Sequence, residues 1–152
     1  MSAATRSALI AGISARTAGY RLLPHPADIG LAFWGPTRAA AFAQAAYGLT
    51  ALLGGVCDDH SRRRAVNWQL AGHDDSERLV DLLSRLVWSA DAEGRLFSSF
   101  RVDARQSEPV RVTAAGHARR RSGGYDVKAV TYHQLAFQPS PEGWAGQVFF
   151  DV

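Results

Sequence analysis

The sequence predicts an α+β fold, with two helices packed on a largely antiparallel sheet in a single domain. Three observations carry that reading. Only two segments show apolar residues at helical spacing, one after Thr37 and one after Asp74. The rest reads as strands, with Ser122-Gly123-Gly124 as a hairpin-turn signal between two of them. A doubly wound parallel sheet would need more crossover helices than these two. At 152 residues and 47% hydrophobic, the chain can build one core without disulfide or metal staples.

Residues 1–19 are rich in Ala and Ser, carry Arg6 and Arg16 and hold no acid, and are expected to form a flexible N-terminal tail ahead of a domain over 20–152. The domain opens with "YRLLPHPADIGLAFWG" (20–35), two extended runs broken by Pro24 and Pro26, which bias the residues before them away from helix. Ile29, Leu31 and Phe33 alternate in the second run. Thr37 suits an N-cap. After it, Phe42, Ala45, Ala46, Leu49, Leu52 and Leu53 recur on one helical face, until Gly54-Gly55 stops the helix. Residues 62–72 read as a strand with Val66, Trp68 and Leu70 on one side. The acidic run Asp74-Asp75-Ser76-Glu77 suits a helix N-terminus. Leu79, Leu82, Leu83, Leu86, Val87 and Ala90 form the stripe behind it, and Gly94 follows its end. Strands are expected near 96–105, 110–121, 125–138 and 144–152.

Composition narrows the function classes. The net charge is +3, but without residues 1–19 the domain holds 15 basic and 14 acidic side chains, a net of +1, which is no polyanion-binding field. The single cysteine, Cys57, rules out an internal disulfide framework and a cysteine zinc cluster, and reads as a small residue at the core edge. No apolar run approaches the ~18–20 residues of a membrane span, and no secretory signal is evident, so a cytoplasmic protein is expected. There is no Gly-rich phosphate loop, nucleophile elbow or paired-histidine helix. The triplets Arg62–Arg64 and Arg119–Arg121 adjoin predicted strand ends, where charge discourages edge pairing. The four tryptophans read as core or interface residues, because none lies in a basic, aromatic-interleaved run.

Three places invite chemistry. Asp28 in "PHPADIG" stands where a strand enters the core; the plain structural alternative is a turn aspartate bonding its own backbone. The chain ends within an apolar strand, "GWAGQVFFDV", with Val148, Phe150 and Val152 on one face and Phe149 and Asp151 on the other. That content is expected to be buried to its last residue, holding Asp151 and the Val152 carboxylate in a protein environment that must compensate their charge. Lys128 is the only lysine among 17 basic residues, set between apolar residues and sharing a face with Val130 and Tyr132. It reads as a compact point charge that must extend outward or pair. His25 and His133 are further candidates, each more simply a hydrogen-bonding structural histidine.

"PHPADIG", "ERLVDLLSRLVWSADAEGRLFSSF", "VKAVTYHQL" and "GWAGQVFFDV" occur in this order over residues 20–152 and resemble the archease family. "KAVTYH" and the terminal "FDV" are the specific pieces. Pro26 departs from the threonine common in the first motif, removing a hydroxyl and a backbone donor beside Asp28. The resemblance implies a protein that is not itself an enzyme: a partner of the GTP-dependent 3′-phosphate RNA ligase of tRNA splicing and RNA repair, promoting ligase guanylylation and multiple turnover. tRNA or broken RNA would be met indirectly, through the ligase. It implies a divalent cation, calcium first and magnesium or manganese next, at Asp28, Asp151 and a main-chain or terminal oxygen of Val152. Lys128 is implied as the functional charge, with His25 and His133 nearby. Hard oxygen donors without sulfur agree with such a cation. Two alternatives stand beside this one. A metal-dependent phosphohydrolase using Asp28 and Asp151 lacks acids for a second metal and a clear base. A direct RNA-binding module using the arginine triplets sits poorly with the net charge.

Overall fold

The computed structural model describes residues 17–55, 64–105, 108–118 and 123–152. Residues 1–16, Cys57, Arg62, Arg63 and Arg119–Arg121 lie outside the described residues, and with them most of the expected tail and both arginine triplets except Arg64. In chain order the elements are β1 (Gly19–Pro24), β2 (Ile29–Gly35), α1 (Arg38–Leu52), β3 (Arg64–Gln69), α2 (Asp75–Ala92), β4 (Arg95–Asp103), β5 (Arg111–Ala118), β6 (Ala129–Ser140) and β7 (Gly143–Asp151). This is the expected α+β class. The strands divide between two antiparallel sheets, β1-β2-β7-β6 and β3-β5-β4.

The helices begin where their caps dictate. Thr37 accepts a hydrogen bond from the Ala40 amide at 3.0 Å. At α2, Asp74 accepts from the Glu77 amide at 2.8 Å, and Glu77 accepts from the amide of His73, just before the cap, at 2.7 Å. Gly54, at φ 119°, takes the chain out of α1 through a region closed to most side chains.

Helix α1 joins the sheets. Phe42, Ala45, Ala46 and Leu49 are fully buried in the core, which also takes Leu31 and Phe33 of β2 and Val148 and Phe150 of β7. On its other side, Thr50 donates to the Phe97 carbonyl at 3.0 Å and the Tyr47 hydroxyl accepts from the Phe100 amide at 3.2 Å, tying α1 to β4. Helix α2 adds Leu79, Leu82, Leu83 and Leu86 to the same core. Every residue of the two predicted helical stripes is buried.

Candidate functional site

β7 runs through the middle of its sheet, and its C-terminal end brings together three distant parts of the chain. Ile29 of β2 pairs with Phe150, so Asp28 and Asp151 each stand one residue beyond the last pair, on neighbouring strands. On the other side Ala129 of β6 pairs with Asp151, and the Lys128 amide donates to the Asp151 carbonyl at 2.8 Å. Side chains opposite each other in an antiparallel pair share a face. Ile29 and Phe150 face the core, so Asp28 and Asp151 belong to the opposite face, with Gly30 and Phe149.

That outer face is roofed here by two irregular segments. One is the turn from β1 to β2, in which His25 Nδ1 lies 3.8 Å from the Asp28 carboxylate. The other is a wide bulge in β6: Thr131 pairs with Phe149 but Ala136 with Gln147, leaving Tyr132, His133, Gln134 and Leu135 out of register. Gln134 adopts φ 53°, a left-handed conformation that costs a non-glycine residue about 1–2 kcal/mol. The wholly buried Gln147 side chain donates to the Gln134 carbonyl at 2.7 Å and holds the bulge in place. Buried Phe149 is the floor. Its ring meets His25 edge-on at a centroid distance of 5.5 Å and His133 at 6.2 Å. Gly30 makes room for that ring, since a Cβ there would lie 2.6 Å from Phe149 Cε1. The ring contacts set His25 and His133 on Phe149, and the strand register sets the Asp28 and Asp151 backbones at the same end of the sheet.

Two expectations need correction. Burial of β7 stops at Phe150: Asp151 is exposed and Val152 is 42% exposed. β2 has no strand residue left to pair beyond Ile29, so solvent reaches the end of β7 and solvates its charge, which protein would otherwise have to compensate. Lys128 is exposed and precedes β6 instead of lying within a strand. Its backbone is tied to the end of β7 through that amide hydrogen bond to the Asp151 carbonyl, and among the described residues its side chain forms no ion pair. Trp88, at 60% exposure, lies outside the core, which leaves the interface half of its expectation.

Among the described residues no group of three or more His, Cys, Asp or Glu side chains could hold a metal ion by itself. The candidate donor set is of another kind, two carboxylates completed by main-chain oxygen. It fits a hard cation of the calcium or magnesium type, which takes backbone oxygen and water readily and tolerates an open site.

The opposite end of β7 carries a second charged cluster that sequence reading did not find. There a groove of about 870 Å³ is lined by Arg38, Asp75, Arg78 and Trp144 among others. Arg38 grips Asp75 with two hydrogen bonds of 2.8 and 2.6 Å and donates to the Ala104 carbonyl at 3.0 Å, and Arg78 adds a bond to Asp75 at 3.0 Å. Burial alone would raise the Asp75 pKa; the hydrogen bonds and charges of Arg38 and Arg78 outweigh it and hold the carboxyl below its ordinary range. These charges satisfy one another across α1, α2 and the β4 end, which is a structural role. No helix among the described residues is long and apolar enough to cross a membrane.

Comparison with known proteins follows the same span. Residues 20–152 match the Archease protein family. "Protein archease" of Methanosarcina barkeri is 31% identical over 144 residues, covering 88% of this chain and 95% of the relative. The Methanosarcina acetivorans counterpart is 29% identical, with the same two coverages. Among solved structures, a Methanobacterium thermoautotrophicum protein determined in solution aligns with a TM-score of 0.66 at 22% identity, covering 88% of this chain and 99% of its own. The crystal structure of an archease from Thermotoga maritima aligns with a TM-score of 0.64 at 20% identity, covering 87% and 96%.

Proposed function

Because this chain belongs to the archease family, we propose that it is a metal-binding accessory protein that activates the GTP-dependent 3′-phosphate RNA ligase of tRNA splicing and RNA repair. The observation that carries this reading is the register of the β2-β7-β6 ladder. It sets Asp28, Asp151 and the Lys128 backbone at one solvent-open sheet end, although Asp28 lies about a hundred residues or more from the other two in sequence. Asp28, Asp151 and a main-chain oxygen of Val152 are the residues that would hold a divalent cation, with calcium favoured over magnesium because it accepts main-chain oxygen and irregular geometry. When bound, such a cation supplies a compact positive charge toward phosphate oxygens.

The chain's own groups supply the rest. Phe149 fixes the rings of His25 and His133 against the site, and His25 stands next to the Asp28 carboxylate. Lys128 is exposed on a flexible stem and forms no ion pair among the described residues, so its ammonium is free to meet a phosphate or carboxylate of the ligase. None of these groups forms a nucleophile-and-base pair, which supports an activator over a hydrolase. Exposure of Asp151 and partial exposure of Asp28 serve the same end, because a partner protein must reach them.

The test is a ligation time course with RNA in excess over the cognate ligase. The protein should convert a single round of joining into many, and chelation of divalent cations from the protein before mixing should abolish the gain. Asp28→Ala and Asp151→Ala should fold normally and fail to stimulate. Full stimulation by both variants would reject the assignment.

A further inference from the structure

Far from the carboxylate end, the outer side of α2 and edge strand β3 enclose a groove of about 470 Å³. Its walls carry two indoles, Trp68 and Trp88, and three guanidiniums, Arg64, Arg85 and Arg95, against a single acid, Glu93. Trp68 is anchored: its ring meets Phe97 edge-on at 5.3 Å, and the Arg85 guanidinium lies over it, 5.8 Å from the centroid. Arg85 is steadied from below by Asp81 at 3.1 Å. Trp88 is not anchored in this way. It projects from α2 at 60% exposure, one turn beyond Ser84, and presents a large indole face to solvent.

Exposing an indole on a helix whose other face fills the core has a steady cost in apolar surface. The arginines beside it give that surface a chemical sense. Polar walls of mixed charge would suit many partners, but an indole face next to three guanidiniums suits a planar aromatic group that carries a phosphate. We propose that this groove binds single-stranded RNA, with one base stacked on Trp88 and adjoining phosphates held by Arg64 and Arg95. The volume accepts about one nucleotide, and the rest of the strand follows the outer edge of β3, which among the described residues has no neighbour in the sheet order β3-β5-β4. Arg85 stays with Asp81 and Trp68 and stiffens the wall. The domain's near-neutral net charge sets the strength: binding is modest and local, without a broad basic surface.

The experiment is a fluorescence-anisotropy titration of labelled ten-residue oligo(A) and oligo(U) RNA with the full chain at several salt concentrations. Competition by AMP and by poly-glutamate forms the second arm. Both oligonucleotides should bind, with a log–log salt slope of about −0.7 for each phosphate engaged, hence about −1.4 for two. Trp88→Ala should weaken binding about tenfold, as expected for loss of one base–aromatic stack, and Trp88→Phe should lose less. Arg64→Gln with Arg95→Gln should flatten the salt slope. Asp28→Ala should bind as the wild type does, which separates this site from the carboxylate end. Circular dichroism confirms that the Trp88 variants fold. Equal binding by wild type and Trp88→Ala overturns the proposal, as does absence of binding. Displacement by poly-glutamate as effective as by unlabelled RNA would identify an acidic protein segment as the occupant, and tight binding of AMP with none of the oligonucleotides would identify a mononucleotide pocket; either outcome overturns the RNA assignment.

Discussion

Asp75 sits between the Arg38 and Arg78 guanidiniums with its side chain 17% exposed. Its folded pKa lies below the ordinary value of 3.8, so its stabilising contribution is fully present above that value and is lost as pH falls through the folded pKa. Asp75→Asn should therefore lower stability at neutral pH by about 1–3 kcal/mol. The gap between variant and wild type, followed by thermal melts, should close below about pH 4; a gap that widens in acid contradicts the pairing. Lys128 behaves differently. It has no ion-pair partner among the described residues, so Lys128→Ala should leave the melting temperature nearly unchanged while reducing ligase stimulation, and Lys128→Arg should restore stimulation only in part, because a planar fork does not replace a compact ammonium. The sequence singles out Asp28 and Asp151 because charge at the end of an apolar strand demands a reason, and Lys128 because it is the only lysine. Asp75 is not singled out, since Arg38, which grips it, lies 37 residues away and nothing local marks the pair.

The β6 bulge is the element on which the candidate site depends most. Simple alternation puts Tyr132 on the Lys128 and Val130 face and His133 on the Phe149 face; the bulge takes Tyr132, His133 and Gln134 out of register with β7, and His133 keeps its contact with Phe149. No Gly, Pro or Asn marks the segment, and the residue at positive φ is a glutamine, so the departure could not be read from the sequence. Its cause is a contact across the sheet, from the Gln147 amide to the Gln134 carbonyl. Gln147→Leu keeps the volume and removes that donor. We expect a loss of about 1–3 kcal/mol by denaturant melts, together with shifted NMR signals for Tyr132 and His133. A variant as stable as wild type with unmoved signals would show that the bulge needs no such support. Gly30→Ala acts on the floor. The added methyl displaces the Phe149 ring, with Leu23 Cβ closing the other side at 2.9 Å, and overpacking of this kind costs about 1–3 kcal/mol. Stimulation should fall with it, because His25 and His133 both rest on that ring.

At the scale of the molecule, the helical stripes, the caps and the α+β class were readable because apolar period and capping chemistry are local. The division into two sheets was not, because it depends on α1 contacting β2 and β7 on one side and β4 on the other. The meeting of the two ends of the domain was readable only as an expectation from family resemblance; the β2-β7-β6 ladder supplies the physical reason, since a strand placed centrally carries its last residues between the start of β2 and the start of β6. The account rests on that meeting serving one cation. A calorimetric titration with calcium chloride tests it on wild type, Asp28→Ala, Asp151→Ala and the double variant. One ion should bind per chain. Since loss of an outer partner already costs about 10–100-fold in metal affinity, each single variant should lose at least that much, and the double variant little more. Calcium binding at wild-type strength in either single variant would contradict the account.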